Sequence, residues 1–294
     1  VCAYISIFTS DATRVLFPYS ISKDECDAYI ATISDDMANQ ASVLGVDITP
    51  GSSSCSDLEV MVCATFFSSE EGAKLQSFVD TQVDFWLEMV IQGCKPALAG
   101  YTTIVAVGGM TNGDVQAGLP VSCINAVATK ACAIETPDFP KCACVTTPGA
   151  TPFAIKPAMS SMAGRTKDTT CYCFETTLVT PNSATSPCGR SSNLLKAEFY
   201  ADDNKRRSIT GVYLQPTGGS GKWLSPTWGA VGEQTVKATP MNWSKGQAQG
   251  GKVCLELKND TPIDDFCLGT DGTCWGNLFD DSKNCCPLFP AQQP

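Results

Sequence analysis

The chain combines seventeen cysteines with no histidine in its 294 residues, and this pairing restricts its fold and chemistry more than any other feature. Structural zinc sites use histidine beside cysteine, or cysteine pairs separated by two to four residues. The closest pairs here are Cys142/Cys144, Cys171/Cys173 and Cys285/Cys286. Disulfides formed in an oxidising, extracellular compartment are the better interpretation. The sequence therefore predicts a secreted, disulfide-stapled scaffold that holds no metal and no other cofactor.

The missing histidine also limits catalysis. Serine or cysteine nucleophiles that rely on a histidine base are excluded, because no histidine is present to take the proton. Two carboxylates can cleave glycosides without histidine, but no sequence signal singles out such a pair. The acidic groups Asp264-Asp265 with Asp271, and Asp280-Asp281, do not follow the calcium-binding EF-hand spacing, so solvated loops are the favoured interpretation. We predict no enzyme activity and no catalytic or metal-binding residues.

Charge is unevenly distributed along the chain. Residues 1–135 carry 16 acidic and 5 basic side chains, whereas residues 136–294 carry 14 and 15. This shift, beside the proline-containing segment Thr136–Pro140, predicts one domain at residues 1–135 and a second at 136–294. Nucleic acid is not an expected partner, because binding phosphates requires a basic face. A membrane span is not expected either, since no stretch approaches the ~18 apolar residues that one requires.

The first half carries two serine–glutamate capping boxes, Ser22/Glu25 and Ser68/Glu71, each followed by apolar residues at helical spacing. Gly45 is suited to end the first of these helices. The strands expected around the helices are Ala3–Phe8, Val46–Thr49, Leu58–Phe67 and Tyr101–Val107. The resulting order, βαββαβ, predicts a ferredoxin-like α+β domain.

The second half has a different pattern, in which short apolar segments alternate with glycine, proline, serine and asparagine. Helical periodicity is nearly absent. These features predict an all-β, disulfide-rich antiparallel sandwich. Its expected strands are Cys171–Thr180, Leu194–Tyr200, Ser208–Gln215, Val253–Lys258 and Cys274–Phe279.

The cysteines divide into seven in the first half and ten in the second. Because seven is odd, one first-half thiol is free, crosses the domain boundary or pairs outside the chain. Cys2, beside the first residue, is our prediction for that unpaired or externally paired thiol. The predicted disulfide cysteines are the other sixteen: Cys26, Cys55, Cys63, Cys94, Cys123, Cys132, Cys142, Cys144, Cys171, Cys173, Cys188, Cys254, Cys267, Cys274, Cys285 and Cys286.

Two further groups of residues are candidates for contact with sugars. Asn242-Trp243-Ser244 and Asn259-Asp260-Thr261 are N-glycosylation sequons, so Asn242 and Asn259 are predicted acceptors in a secreted protein. Trp223 and Trp228 lie between glycines and prolines, where exposed rings would stack on sugars. A buried core position for each tryptophan is an equally good interpretation.

The order of motifs in the second half is specific. It runs through Phe139-Pro140-Lys141-Cys142-Ala143-Cys144, Cys171-Tyr172-Cys173-Phe174, Leu194–Phe199, Val253–Leu257, Cys267, Cys274 and Asn284-Cys285-Cys286-Pro287. This series resembles the pherophorin domain of matrix glycoproteins from volvocine green algae, and it covers residues 139–294. In the first half, Val62–Ser68 and Leu98–Tyr101 are similar to the module that precedes this domain in longer pherophorins.

The resemblance implies a glycoprotein of the extracellular matrix or cell wall that assembles with copies of itself or with related matrix glycoproteins, and that carries covalent glycans. It implies no catalytic residues. The long polyproline rod of many family members is not found in this sequence. The leading expectation is a structural matrix module. A secreted carbohydrate-binding or signalling protein is the main alternative, and a histidine-free hydrolase is a third.

Overall fold

The computed structural model describes residues 1–9, 15–108, 122–133 and 136–293. The chain divides into two compact units, Val1–Ile134 and Glu135–Pro294. Glu135, at which we placed the end of the first domain, lies outside the described residues. Within the described residues the protein is mostly β, with three antiparallel sheets and few helices.

In its described residues the first unit contains one antiparallel sheet and three α-helices. Its strands lie in the order β2-β3-β1-β4-β5 within the described residues. In chain order the elements are β1 (Cys2–Phe8), α1 (Lys23–Leu44), β2 (Ile48–Cys55), β3 (Glu59–Phe66), α2 (Ser69–Ala73), α3 (Gln76–Ile91), β4 (Thr102–Gly108) and β5 (Ala126–Ala131).

Helix α1 begins and ends where the sequence predicts. The Ser22 hydroxyl accepts a hydrogen bond from the Glu25 amide at 3.2 Å, and the Glu25 carboxylate accepts one from the Ser22 amide at 2.9 Å. This reciprocal pair satisfies two amides that have no partner inside the helix. Gly45 ends the helix with a φ of +65°, a conformation that glycine adopts without a Cβ clash.

The ferredoxin-like prediction for the first unit is wrong. The sheet has five strands, because β5 pairs with the outer edge of β4 from Thr102↔Ala131 to Val107↔Ala126. The second helical segment is also divided into a five-residue helix, α2, and a separate helix, α3. Strand β5 is hard to recognise from sequence, because three of its six residues are alanine and one is lysine, and these outnumber the strand-favouring Val127 and Thr129.

Buried side chains join the helices of the first unit to its sheet. Ile5 of β1, Ile33 of α1 and Trp86 of α3 are each at most 1% exposed and belong to one apolar core. The indole of Trp86 donates a 2.8 Å hydrogen bond to the carboxylate of Asp36 on α1. This bond satisfies the one polar atom of a large core side chain and fixes α3 against α1.

The second unit contains two antiparallel sheets and two short helices in its described residues. Its elements are β6 (Phe153–Ile155), β7 (Ser160–Ala163), β8 (Thr169–Leu178), β9 (Asn193–Tyr200), β10 (Ile209–Gln215), β11 (Lys222–Leu224), β12 (Thr227–Trp228), β13 (Thr235–Ala238), β14 (Trp243–Ser244), α4 (Lys245–Ala248), β15 (Lys252–Lys258), α5 (Ile263–Phe266), β16 (Cys274–Asp280) and β17 (Leu288–Ala291).

One sheet has the order β11-β10-β15-β8-β6, with β7 also paired to β8; the other has the order β12-β13-β9-β16-β17, with β14 also paired to β9. They meet through their inner faces, where the rings of Phe174 and Phe199 lie 4.5 Å apart. The five predicted strands correspond to β8, β9, β10, β15 and β16. The all-β prediction needs correction, because α4 and α5 interrupt the strands.

Candidate functional site

Three disulfides fasten the first unit. Cys2 of β1 bonds to Cys63 of β3, and these two residues are direct partners in the antiparallel ladder. Cys26 on α1 bonds to Cys55 at the end of β2, and Cys94 after α3 bonds to Cys132 after β5. Both helices that cover the sheet are therefore tied covalently to its edge strands or their ends.

Four disulfides fasten the second unit. Cys173–Cys254 joins directly opposed residues of β8 and β15, and Cys267–Cys274 closes a short loop before β16. The adjacent residues Cys285 and Cys286 bond to Cys188 and Cys144 respectively. One short segment before β17 is therefore bonded to two parts of the unit that are far apart in the chain.

The structure corrects our assignment of Cys2 as the unpaired thiol, since Cys2 pairs with Cys63. Three cysteines that we predicted to be paired, Cys123, Cys142 and Cys171, carry no disulfide. Strand register, which places Cys2 opposite Cys63, decides this pairing. Register between strands about sixty residues apart cannot be obtained from the spacing of cysteines along the chain.

The unpaired thiols of the second unit lie in different environments. Cys171 is fully buried on β8, where burial and the charge of Glu256 raise its thiol pKa to about 11. Cys142 is exposed, and its Sγ lies 4.0 Å from the Sγ of Cys144. Partial burial and the charge of Glu198 raise the pKa of Cys142 as well. Of these two thiols, Cys142 is the one that combines access to solvent with a neighbouring disulfide.

A buried ion pair lies beside Cys171. Glu256 on β15 is 1% exposed, and its carboxylate accepts hydrogen bonds from the Arg165 guanidinium at 2.6 and 3.0 Å and from the Thr210 hydroxyl at 2.7 Å. Burial acts to raise the pKa of Glu256, but these hydrogen bonds outweigh it and lower the pKa to about 2. The Glu256 carboxylate is therefore favoured in its ionised form, in which it holds Arg165 against the sheet.

Each candidate sugar-stacking tryptophan is half-buried and has an arginine over its ring. The guanidinium of Arg165 lies 4.2 Å from the ring centroid of Trp223, and that of Arg206 lies 5.1 Å from the ring of Trp228. Trp223 also packs against Tyr213 at 4.9 Å. These cation–π contacts occupy ring faces that a sugar would need, so the geometry favours a packing role for both rings.

The two sequon asparagines differ in their surroundings. Asn242 is exposed at a turn, with a φ of +55°, just before β14. Asn259 is exposed, but its side-chain oxygen accepts from the Thr170 hydroxyl at 2.8 Å and its side-chain nitrogen donates to the Lys167 carbonyl at 3.1 Å. A glycan on that nitrogen would displace the second contact. The surroundings therefore favour Asn242 over Asn259 as the predicted acceptor.

The acidic groups do not form a metal site among the described residues, where no three cysteine or acidic side chains are placed to hold a metal ion. Asp280 is 3% exposed and accepts from the Ser282 hydroxyl at 2.8 and 2.9 Å, which shapes the turn before Cys285. Asp280 also lines an open groove of about 800 Å³ that includes Arg190 and Ser191. The Ser191 hydroxyl is buried without a hydrogen-bond partner.

Comparison with known proteins agrees with this arrangement. A family model described as Pherophorin matches residues 139–287. The chain belongs to the pherophorin family. The match begins at Phe139, which packs on Tyr200 with ring centroids 5.3 Å apart, and it includes the ten second-half cysteines.

Curated relatives extend the similarity over the first unit. The chain is 36% identical to perphorin-1 of Volvox carteri over 302 aligned residues and 30% identical to perphorin-2 of the same organism over 287. These alignments cover 99% and 92% of this chain but 57% of each relative, so the chain spans little more than half the length of either. It is also 36% identical to the sexual inducer glycoprotein of Volvox carteri, over 59% of this chain and 86% of that protein.

The described part of the chain contains no helix with the length and apolarity that crossing a membrane requires.

Proposed function

We propose that this pherophorin chain is a non-catalytic, structural part of a secreted glycoprotein of the extracellular matrix or cell wall. The observation that carries the proposal is the pherophorin match over residues 139–287, in a unit held by four disulfides. Seven disulfides in one chain fit an oxidising compartment. In this role the fold serves as a rigid, protease-resistant building block.

Within this role, the chain assembles with copies of itself or with related glycoproteins. Ten acidic residues lie on α1, α2 and α3, with Lys23 as the one basic residue on these helices. Asp35 and Asp84 are exposed examples, on α1 and α3 respectively. We define the surface made by these three helices as the acidic helical layer. It is suited to attract a basic face on another molecule.

The second unit supplies exposed basic side chains, among them Arg207, Lys222 and Lys252. Lys205 and Arg206, which the sequence places in a basic cluster with Arg207, are engaged inside the unit by the Asp265 carbonyl and by Asp203. Contact between the acidic helical layer of one copy and the second unit of the next would be heterologous. Heterologous contacts whose rotation does not close into a ring produce filaments.

The experiment is sedimentation velocity of the full glycosylated chain, with free thiols blocked by iodoacetamide, at low and high salt. We expect the association constant to fall at least tenfold between 20 and 500 mM salt, because salt screens surface charge. The double variant Asp35→Asn/Asp84→Asn should associate more weakly at low salt. The matched double variant Asp168→Asn/Asp281→Asn, in the second unit, should associate as the unchanged chain does. Association that is unaffected by salt and by the first pair would refute the electrostatic contact.

The non-catalytic part of the proposal is supported by the state of the carboxyl groups with shifted pKa values. Glu25 and Glu256 both have a pKa lowered to about 2 by their hydrogen bonds and cationic neighbours, in spite of partial burial. A general acid in a glycosidase needs a raised pKa instead. Hydrolysis of algal wall polysaccharides by the purified chain, lost on mutation of an acidic residue, would overturn this part.

A signalling role is the second candidate, favoured by the similarity to the sexual inducer glycoprotein over 86% of that protein. Under this role the chain would act at low concentration on cells rather than accumulate in the matrix. Adding the purified chain to algal cultures distinguishes the signalling role from the structural role, because a signal changes cell development at nanomolar concentration and a structural module does not. A carbohydrate-binding role is tested by a glycan array with the variants Trp223→Ala and Trp228→Ala.

A further inference from the structure

The exposed thiol of Cys142 lies directly beside a disulfide. Its Sγ is 4.0 Å from the Sγ of Cys144, which is bonded to Cys286. Cys144 is partly exposed, whereas Cys286 is fully buried. A nucleophilic sulfur and an electrophilic disulfide therefore share one patch of the surface, with the outer sulfur of the disulfide turned to the same side. We call Cys142, Cys144 and Cys286 the exchange site.

Reaction between Cys142 and Cys144 of the same chain is disfavoured. The two residues are separated by one residue, and the disulfide geometry needs a particular distance and direction between the two Cβ atoms. The backbone just beyond is fixed, since the Val145 amide donates to the Asn284 carbonyl at 2.8 Å and the Cys286 amide donates to the Val145 carbonyl at 2.9 Å. The Cys142 thiol therefore lies beside a disulfide whose position is set by the backbone.

We propose that Cys142 links two copies of this chain covalently, by attacking the Cys144–Cys286 disulfide of the second copy. The Cys142 thiol gives its proton to solvent, and its sulfur forms a bond with Cys144 of the second copy. The Cys144–Cys286 bond of that copy breaks, and its electron pair leaves on the Cys286 sulfur, which takes up a proton. The exchange consumes one thiol and releases one thiol, so it needs no oxidant.

A second copy is the partner that the exchange site favours, because each copy carries both the attacking thiol and the disulfide to be attacked. Two copies that meet through this surface around a two-fold axis bring each Cys142 to the other's Cys144. Such an isologous contact forms two bonds at once. A foreign protein would have to supply a matching disulfide of its own.

The fold tolerates loss of the Cys144–Cys286 bond. The same two segments remain joined by the backbone hydrogen bonds between Val145 and the residues Asn284 and Cys286. The neighbouring Cys285 stays bonded to Cys188. Exchange therefore replaces an internal connection by one between copies and leaves the end of the second unit in place.

The charged groups around Cys142 make the exchange depend on pH. Glu198 of β9 acts with partial burial to raise the thiol pKa, while Lys196 of the same strand and Lys237 of β13 act in the opposite direction. Since the thiolate is the attacking species, the net upward shift keeps exchange slow near neutral pH. The rate should rise steadily as the pH is increased from 7 to 9.

The inference shares with the proposed function the requirement that two copies meet, but its contact is isologous, unlike the heterologous electrostatic contact proposed above, and it has a separate readout. The experiment mixes unlabelled and ¹⁵N-labelled full-length chain with native disulfides at pH 8.5, without oxygen, and maps the non-reduced peptides. We expect a reductant-sensitive dimer that contains a mixed-isotope Cys142–Cys144 bond, with one newly alkylatable Cys286 for each bond. Cys142→Ser should reduce dimer formation at least tenfold, while Cys123→Ser and Cys171→Ser should leave it unchanged.

Three results would overturn the inference. Dimers could form equally well in Cys142→Ser, or the links could join Cys142 to a cysteine other than Cys144, including a second Cys142. The third result is that no covalent dimer forms at a millimolar concentration of the chain. If thiol-blocked protein still associates reversibly in the last case, the proposed function stands and covalent exchange fails. If covalent dimers form but thiol-blocked protein never associates, exchange stands and the salt-dependent assembly fails.

Discussion

Arg165 binds the buried carboxylate of Glu256 with a 2.6 Å contact and at the same time covers the ring of Trp223 at 4.2 Å. One guanidinium thus neutralises a charge within the sheet and shields an aromatic ring from solvent. The arrangement explains why a tryptophan that sequence places in a glycine-rich turn lies against its own domain. Loss of Arg165 would therefore leave the Glu256 carboxylate buried without a cation and expose the Trp223 ring.

The variant Arg165→Met should lower the free energy of unfolding of the second unit by about 3 kcal/mol. This value is at the low end for breaking a buried ion pair, because Arg165 itself is partly exposed. The loss arises because Glu256 stays buried without its cation. Denaturant unfolding, followed by tryptophan fluorescence, measures it. Lys167→Met, an exposed neighbour, is the matched control, and an equal effect of both variants would contradict the assigned role.

The disulfides of the second unit should differ in their effect on stability according to the loops that they close. Cys188–Cys285 has a sequence separation of 97 and Cys267–Cys274 one of 7. In the chain-entropy account, the longer loop is worth about 2 kcal/mol more. Thermal unfolding of the paired alanine variants Cys188→Ala/Cys285→Ala and Cys267→Ala/Cys274→Ala compares them. Equal destabilisation would show that native packing, rather than loop closure, sets their contribution.

The first unit should lose stability in acid through Glu25. Burial acts to raise the pKa of this carboxyl, but the Lys95 ammonium, at 2.7 Å, and the Ser22 hydrogen bonds lower it to about 2 from an ordinary value of 4.5. The folded pKa is below the unfolded one. The stabilisation is therefore fully present above about pH 4.5 and is lost as the pH falls toward 2.

Lys95→Met should move this acid transition of the first unit to higher pH, because the Glu25 pKa returns toward its ordinary value. Carboxyl NMR of Glu25 and thermal midpoints between pH 2 and 6 provide the measurement. Lys74→Met, which removes a more exposed partner of Glu71, is the control. An unchanged Glu25 titration in Lys95→Met would contradict the role of the ion pair.

Glycan occupancy should be higher at Asn242 than at Asn259. Enzymatic release of N-glycans in heavy-oxygen water marks each formerly occupied asparagine, and mass spectrometry then counts the marks. Asn242→Gln should remove most of the glycan mass. It is preferred to Ser244→Ala, because the Ser244 hydroxyl also caps helix α4. Greater occupancy at Asn259 would show that its hydrogen bonds to Thr170 and Lys167 form only when no sugar is attached.

Local signals in the sequence were sufficient for some elements. Ser22, Glu25 and Gly45 define α1, because capping and a left-handed end are decided by a few neighbouring residues. Strand β5 and the two-residue strands β12 and β14 were missed. The latter two are too short to show periodicity, and β5, with three alanines and a lysine among its six residues, forms where it pairs with β4. The same limit explains the error at Cys2, whose partner is set by the pairing of β1 with β3.

The surroundings of the candidate site residues were even less accessible from sequence. The arginines over Trp223 and Trp228 come from positions 58 and 22 residues away in the chain, as their numbers show. Only the fold brings them together. The order of cysteine motifs, by contrast, lies entirely in the sequence, and it identified the pherophorin family correctly.

The most direct test of the central claim, a structural module that assembles, is the average mass of thiol-blocked chain against concentration at low salt. Sedimentation equilibrium measures this mass, and the polypeptide of the monomer contributes 31.1 kDa to it. The account predicts an average mass that keeps rising beyond the dimer as concentration increases and that returns to the monomer at high salt. A single monomeric species at every concentration, with and without salt, would contradict it.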